Sequence, residues 1–251
     1  MGPDPNFLDD HKMHIQKTRR LAVLLPALLA TLLVTMAMSL PAFADTLVFG
    51  GTRGIGLETV RQLRDNGEAV TVLVRKSSDL TALNEIDGVK TTVGDALEMD
   101  SITRAYASGT FDTVISTLGG TPAAGYEVDS VGNINAIDGA KAAGVERFIL
   151  ITSIGTGDSR AVAPPAMLKA LGGVLAGKEL AERHLIDSGL SWTIIRPGVL
   201  TKKPASGLGV LVSDSATMGL IGRAEIARLI IESVGNESTF SRIYSAVEKK
   251  N

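Results

Sequence analysis

The sequence contains no cysteine, only three histidines and few aromatic residues, which make up 4% of its 251 residues. Without cysteine the chain has no disulfide, no thiolate ligand for a metal and no thiol nucleophile. With three histidines a zinc centre is not expected either, and we predict no metal site. Any catalysis must therefore use hydroxyls, lysines, carboxylates or a bound cofactor.

An excess of charge of one sign is also missing. The formal net charge is -2 and the sequence pI is about 6.0. Nucleic-acid binding requires a basic surface that displaces counterions from phosphates. We therefore expect no nucleic-acid partner.

A long hydrophobic run is present, but only near the N-terminus. Basic residues at 17–20 precede the uncharged run Leu21–Leu40, and Ala42-Phe43-Ala44 follows it. This order is typical of a signal peptide, with cleavage predicted after Ala44. A run of about 20 apolar residues also suffices for an uncleaved anchor. We predict that residues 1–44 are a signal peptide or membrane anchor with a polar N-terminal extension, and that only this segment contacts the membrane.

From Thr46 onward, short β-branched apolar runs alternate with stretches of helical periodicity. The predicted strands are Thr46–Phe49, Ala69–Val74, Lys90–Val93, Thr113–Ser116, Arg147–Thr152, Trp192–Arg196 and Arg242–Val247. The predicted helices are Gly54–Asn66, Asp79–Asn84, Asp100–Ala107, Asp129–Ala143, Pro165–Ser188 and Arg223–Val234. Gly198–Met218, rich in Gly, Ser and Lys, is predicted to be a loop near the substrate entrance. The alternation predicts a single Rossmann-like α/β domain over residues 45–251, with a doubly wound parallel sheet.

The clearest motif is a glycine-rich turn between the first strand and the first helix. Gly50 permits a tight turn, Gly54 lets the backbone approach a pyrophosphate, and Gly56 allows the helix to pack closely on the strand. The helix N-terminus adds free N–H groups and a partial positive charge. We predict that a dinucleotide cofactor is bound here by Gly50, Thr52, Arg53, Gly54, Ile55 and Gly56.

The end of the second strand indicates which dinucleotide is bound. Sites that prefer NAD usually place an acid there, but this chain has Val74 followed by Arg75. Arg75 and Arg53 can both pair with a 2'-phosphate, which predicts NADP(H) in preference to NAD(H). The alternative is that both are solvated surface cations.

Turns after the third and fourth strands supply further candidate cofactor ligands. We expect two residues beside the adenine and four along the nicotinamide half: Asp95 and Ala96, then Ser116, Thr117, Leu118 and Gly119. Ordinary turn chemistry explains each of them as well.

Several segments resemble the atypical short-chain dehydrogenase/reductases that have an NAD(P)H-binding, NmrA-like domain, whose relatives include biliverdin-IXβ/flavin reductase. The segments are Gly50–Gly56, Gly94-Asp95, Ile151–Gly155, Gly157–Ser159, Lys178–Glu182 and Ser188–Gly198. The resemblance implies a nucleotide extended along the strand C-termini. It places Ser153 and Lys178 beside the nicotinamide ribose and Pro197 close to the carboxamide.

One departure from that superfamily concerns proton transfer. Most of its dehydrogenases have a Tyr four residues before the Lys, but here that residue is Val174, and no Tyr in the chain has a Lys four residues later. Ser153 and Lys178 are therefore candidate catalytic residues, or cofactor ligands only. His184 is a weaker candidate for a general acid and Tyr126 for a stacking group, although surface pairing and packing explain both.

Asp158 and Arg223 also match positions typical of the family, and we expect them to be structural. The leading interpretation is an NADPH-dependent oxidoreductase that reduces a small conjugated acceptor, such as a flavin, a tetrapyrrole or a quinone-like compound. The alternative is a non-catalytic NADP(H)-binding sensor or scaffold with a protein partner. A sugar-nucleotide epimerase ranks last, because the Tyr is missing and the chain is short of the usual substrate domain.

The leader predicts an exported or membrane-anchored protein, in the periplasm of a bacterial source or an organelle of a eukaryotic one. Thr18-Arg19-Arg20-Leu21 resembles a twin-arginine signal, whose pathway carries folded proteins, so export with bound cofactor is one route. An anchor that leaves the domain in the cytoplasm is disfavoured, since the basic flank would itself lie on that side.

Overall fold

The computed structural model describes residues 45–120, 126–215 and 217–249. These residues belong to one compact unit that begins near residue 43. The predicted signal or anchor segment lies outside the described residues and stays a prediction. Within the described ranges, no helix has the length and apolar character needed to cross a bilayer.

Strands and helices alternate along most of the chain, as the periodicity predicts. The strands are β1 (Asp45–Phe49), β2 (Ala69–Val74), β3 (Val89–Val93), β4 (Thr113–Ser116), β5 (Arg147–Ile151), β6 (Ser191–Pro197), β7 (Val199–Thr201), β8 (Gly209–Val212), β9 (Leu220–Gly222) and β10 (Arg242–Glu248). The α-helices are α1 (Gly54–Asp65), α2 (Thr81–Asn84), α3 (Met99–Ala107), α4 (Asn133–Ala143), α5 (Pro165–Ile186) and α6 (Arg223–Val234). A π-helical turn, Val128–Gly132, leads into α4, and 3-10 turns cover Gly157–Val162 and Glu237–Thr239.

Eight strands form one sheet in the order β3-β2-β1-β4-β5-β6-β10-β8. Neighbouring strands are parallel except for β8, which is antiparallel to β10. The strand order reverses between β1 and β4, and in sheets of this kind ligands bind in the crevice at the carboxyl ends of those two strands. The Rossmann-like fold is thus confirmed, with a mostly parallel sheet rather than a wholly parallel one.

Both faces of the sheet are buried, which explains the uninterrupted apolar runs of its central strands. Successive residues of β1 point to opposite faces, so Leu47 and Phe49 join one apolar cluster while Val48 joins the other. The first cluster lies under α3, α4 and α5, and the second lies under α1 and α6.

The last helix is fixed at its C-terminal end by a buried cation. Arg147, at the start of β5, donates hydrogen bonds to the carbonyls of Ser233 at 2.8 Å and Val234 at 3.1 Å, in the last turn of α6. A positive charge at a helix C-terminus is favourable, and burial lowers the pKa of Arg147 to about 10. The helix that carries Arg223 at its other end is therefore held in register with the sheet.

The segment Gly198–Met218 was expected to be a loop, and this expectation is wrong. The structure has β7 and β8 there, and β9 follows directly. β7 pairs with β9 in a separate two-stranded parallel sheet, and β8 pairs with β10. These strands of three or four residues arise from pairing with distant parts of the chain, which local periodicity does not register.

Candidate nucleotide-binding site

The glycine turn at the end of β1 has a backbone that only glycine supports easily. Gly50 and Gly54 have φ values of 82° and 59°, in the left-handed region. A Cβ on Gly56 would lie 2.3 Å from the carbonyl oxygen of Gly50 and 2.5 Å from Thr117 Oγ1. The turn therefore brings the start of α1 directly against the end of β1, as the motif predicts.

The first turn of α1 is left without an internal cap. Arg53 at the N-cap position makes no side-chain capping hydrogen bond, and no acidic residue lies in the first turn. The first N–H groups of a helix have no intrahelical acceptor, so an uncapped N-terminus favours an anion. This arrangement fits the pyrophosphate of a dinucleotide.

The two arginines predicted to select NADP(H) are both exposed. The backbone N–H of Arg75 donates to Ser78 Oγ at 3.1 Å, in the turn that follows β2. Neither guanidinium is paired with a carboxylate in the described part of the chain. Selection of the 2'-phosphate by these cations stays a prediction, as does the solvated alternative.

The turn after β3 is stabilised by its own side chain. Asp95 Oδ1 accepts the backbone N–H of Leu97 at 3.0 Å, and the carbonyl of Ala96 accepts Asn135 Nδ2 at 2.9 Å. Ala96 is itself part of the core. These contacts account for both residues as turn formers, and the adenine contact stays a prediction.

The turn after β4 lines the crevice on the other side of the glycine turn. Ser116 is fully buried and its hydroxyl donates to Asn133 Oδ1 at 2.6 Å, so this side chain supports the turn. Thr117 Oγ1 lies 3.1 Å from the carbonyl of Phe49 and 3.2 Å from that of Gly50, which ties the two turns together. Leu118 is half-buried and Gly119 is exposed.

Lys178 lies under this second turn, paired with a carboxylate that sequence reasoning missed. Its Nζ is 3.1 Å from Oδ1 of the fully buried Asp129 and donates to the carbonyl of Leu118 at 3.0 Å. Asp129 Oδ2 also accepts the backbone N–H of Gly120 at 3.0 Å. Asp129 lies on the π-helical turn Val128–Gly132, a widened turn of a kind frequent at functional sites. From the sequence, Asp129 is predicted only to begin a helix.

Ser153 follows β5 and is half-buried, with its hydroxyl donating to the carbonyl of Ile154 at 2.9 Å. Its turn is supported by Glu182, a buried residue of α5 that no sequence motif indicates as a site residue. Glu182 Oε1 accepts hydrogen bonds from the hydroxyls of Thr152 at 2.6 Å and Thr156 at 2.8 Å. Glu182 Oε2 accepts from Arg196 Nη2 at 2.7 Å.

Arg196 extends the same network to Asp158. A hydrogen bond from Arg196 Nη1 lowers the pKa of Asp158 below its ordinary value. This contact fits the structural role expected for Asp158, which stays a prediction. Pro197, the last residue of β6, accepts the N–H of Ile154 through its carbonyl at 3.1 Å, so it too borders the Ser153 turn.

The weaker candidates have structural partners. His184 Nε2 lies 2.6 Å from Asp138 Oδ1, and the two partly exposed side chains bridge α4 and α5. The ring of Tyr126 packs over Gly173, where a Cβ would come within 2.1 Å of it. Val174, in the place of the family Tyr, is buried. Among the described residues, no group of three His, Asp or Glu residues is arranged to hold a metal ion.

Comparison with protein families agrees with this geometry. A family model described as NAD(P)H-binding matches residues 50–237, from the glycine turn to the 3-10 turn that follows α6. The chain belongs to this NAD(P)H-binding family.

The chain is also similar to two curated proteins and one solved structure. The uncharacterized sugar epimerase YhfK of Bacillus subtilis (strain 168) is 30% identical over 206 residues, which are 80% of this chain and 92% of that protein. Protein TIC 62, chloroplastic, of Oryza sativa subsp. japonica is 31% identical over 81% of this chain, but the match spans only 46% of the rice protein. The solved structure of ChuY, an anaerobillin reductase from Escherichia coli O157:H7, superimposes with a TM-score of 0.72. It is 30% identical and covers 83% of this chain and 98% of ChuY.

The residues present fit the NAD(P)H cofactor of the family. The glycine turn offers close backbone approach, the uncapped α1 offers N–H donors, and the turn after β4 continues the same crevice toward Lys178 and Ser153. The arrangement can hold a dinucleotide along the carboxyl ends of the strands.

Proposed function

We propose that the protein is an NADPH-dependent oxidoreductase that reduces a small conjugated acceptor. The observation that carries the proposal is the glycine turn with its uncapped helix at the β1–β4 crevice, combined with buried Val174 in place of a phenol. The first feature supports cofactor binding. The second disfavours the alcohol and carbonyl chemistry that depends on a Tyr–Lys pair.

In this proposal the glycine turn Gly50–Gly56 holds the pyrophosphate, Arg53 and Arg75 hold the 2'-phosphate, and Ser153 and Lys178 hold the nicotinamide ribose. The Lys178 ammonium lies 3.1 Å from Asp129 Oδ1 and donates a hydrogen bond to the carbonyl of Leu118. An ammonium has three N–H donors, so N–H groups of Lys178 remain for a ribose hydroxyl. When bound, the cofactor supplies hydride.

The class of acceptor follows from what the site offers for proton transfer. With Val174 buried and no phenol at that position, an acceptor that delocalises the added electron pair, such as a flavin, a tetrapyrrole or a quinone-like compound, suits the site best. The similarity to ChuY, named as an anaerobillin reductase, supports a conjugated acceptor.

A non-catalytic NADP(H)-binding sensor or scaffold is the second candidate. It is favoured by the internal hydrogen bonds of both candidate catalytic groups, since Ser153 Oγ donates to Ile154 and Lys178 pairs with buried Asp129. Tight nucleotide binding without hydride transfer to any acceptor class would support this candidate over the reductase.

The test is a fluorescence titration of NADPH and NADH into protein beginning at Asp45, with Arg75→Ala as the variant and the exposed Arg242→Ala as a matched control. Loss of one charged hydrogen-bonding partner weakens binding by roughly 10- to 100-fold. We expect that loss for NADPH in Arg75→Ala, no change for NADH, and no effect in Arg242→Ala. Equal weakening of both nucleotides would contradict 2'-phosphate recognition, and failure to bind either would contradict the proposed function.

An acceptor screen then separates the two candidates. NADPH oxidation is followed with a flavin, a linear tetrapyrrole and a quinone, each in turn. Faster oxidation with one of them supports the reductase. Binding with no oxidation in any mixture supports the sensor or scaffold.

We further propose that the protein is exported or membrane-anchored, or sent to an organelle in a eukaryotic source. The basic and apolar pattern of residues 17–44 supports this, and the relative from rice is named as chloroplastic. Fractionation of cells that express the full chain with a C-terminal tag tests it. Recovery of full-length protein only in the cytoplasm would contradict the proposal.

A further inference from the structure

A basic side chain from the far end of the sequence lies against the glycine turn. Arg223 is the first residue of α6, and a Cβ placed on Gly54 would lie 3.9 Å from its Nε and 4.0 Å from its Cδ. Gly54 is the glycine that the motif assigns to close approach of a pyrophosphate. From the sequence, Arg223 is expected to be structural only.

The charge of Arg223 is held in place but not neutralised. Its Nη1 donates to the carbonyl of Thr201 in β7 at 2.9 Å, and no carboxylate pairs with it in the described part of the chain. The side chain is half-buried. A fixed guanidinium beside an uncapped helix N-terminus adds to the positive potential there and has N–H groups left to donate to an anion.

The first turn of α6 is anchored on the side of the cofactor helix. Gln62 Nε2 of α1 donates to the carbonyl of Ala224 at 2.9 Å. Residues of α1 and α6 also share one apolar cluster, which includes Val60 and Ile226. The position of Arg223 relative to the glycine turn is therefore determined by packing and not by an isolated flexible side chain.

The same helical turn is anchored on its other side to the chain between β7 and β8. Fully buried Glu225 accepts the backbone N–H groups of Ser206 and Gly207 at 3.0 Å and that of Gly209 at 2.6 Å. Arg223 itself holds Thr201. One turn of helix thus connects the glycine turn to segment 199–209.

We propose that Arg223 binds the cofactor pyrophosphate from outside the glycine motif, and that cofactor binding thereby further restrains segment 199–209, which Arg223 and Glu225 already contact. This inference rests on the NAD(P)H binding in the proposed function, and not on the reductase activity. The pyrophosphate is common to NADH and NADPH, so Arg223 contributes equally to both, whereas Arg75 contributes to NADPH alone.

The first experiment compares Arg223→Met, Arg223→Lys and the exposed control Arg242→Met in binding to three ligands. The ligands are NADPH, NADH and adenosine 2'-phosphate, which has no phosphate on its 5' side. We expect Arg223→Met to lower the affinities for NADPH and NADH by a similar factor of about 10 to 100. The affinities of Arg223→Lys should lie between those of Arg223→Met and the wild type. Adenosine 2'-phosphate should bind all variants within about twofold.

The second experiment measures amide hydrogen exchange in segment 199–209 with and without saturating NADPH. The wild type and Arg242→Met should gain protection there when NADPH binds. Arg223→Met should gain none, even at an NADPH concentration that saturates it. Unchanged exchange elsewhere in the unliganded variant shows that it is folded, and Arg223→Lys provides the same comparison with the charge retained.

The outcomes separate this inference from the proposed function. If Arg223→Met binds NADH and NADPH with wild-type affinity, the inference is overturned and the reductase proposal stays intact. If segment 199–209 of NADPH-saturated Arg223→Met gains protection from amide exchange, the proposed coupling between cofactor binding and this segment is overturned. A third outcome is that the wild type binds both nucleotides but reduces no acceptor, while Arg223→Met loses nucleotide affinity as expected. This outcome would support the inference and overturn the proposed reductase activity. A wild type that binds neither nucleotide would overturn both.

Discussion

Replacing Gly56 with alanine tests the close contact on which the nucleotide site depends. The added Cβ would lie 2.3 Å from the carbonyl oxygen of Gly50 and 2.5 Å from Thr117 Oγ1. One of these atoms is backbone, so α1 must move away from the turn. Overpacking of this kind costs about 1–3 kcal/mol, and each kcal/mol lowers the melting temperature of a domain this size by about 2–4 °C. We also expect NADPH affinity to fall by about tenfold or more, because the N–H groups of α1 move with the helix.

Gly172→Ala is the matched control because it adds the same methyl group in the opposite circumstances. Gly172 lies inside α5 and its added Cβ meets nothing within 4 Å. Alanine there should stabilise the protein by about 0.5–1 kcal/mol through reduced backbone entropy. Urea unfolding gives both free energies, and NADPH titration gives both affinities. The reasoning would be refuted if Gly56→Ala had the same free energy of unfolding and the same NADPH affinity as the wild type.

Two further predictions concern buried carboxylates. Glu225→Gln should destabilise the protein by about 1.5–3 kcal/mol at neutral pH. Burial alone would raise the pKa of Glu225, but hydrogen bonds from Arg228 and from backbone N–H groups outweigh it and lower that pKa below the ordinary 4.5. Its stabilisation is thus complete above that value and lost as the pH falls through the lower folded pKa, so unfolding curves of wild type and variant should converge in acid and stay apart at neutral pH. Asp129→Asn should lower the free energy of unfolding by about 3–5 kcal/mol, because it leaves the Lys178 ammonium buried without a carboxylate partner. Adding Lys178→Met to this variant should recover most of the lost stability, as measured by urea unfolding. No recovery in the double variant would contradict a direct pairing of the two residues.

The sequence was informative where local pattern and tertiary structure agree. The predicted strand Thr113–Ser116 is observed with the same bounds, and the glycine turn has the positive φ values that its spacing implies. Buried parallel strands are apolar throughout, and a glycine motif serves one backbone conformation, so both leave a clear local signal.

The missed residues depend on contacts that are distant in sequence. Asp129 is an ordinary helix-start residue until Lys178, far along the chain, is placed beside it. Glu182 similarly acquires its role only when Arg196 and the turn after β5 are present. Sequence patterns show amphipathic faces but not which polar side chains meet at the crevice.

The position of β10 imposes an order on assembly of the molecule. β10 follows all the other described strands along the chain, yet it lies inside the sheet, between β6 and β8. β8 pairs in this sheet with β10 alone, so it has no place there until β10 docks beside β6. During synthesis, the half with the glycine turn is made first. Until β10 is made, β6 is an exposed edge strand with which other chains can pair. A nascent chain stalled before Arg242 would therefore have a formed nucleotide turn, but the edge of β6 would be unprotected. Docking of β10 covers this edge and so ends the period in which the chain can aggregate through it.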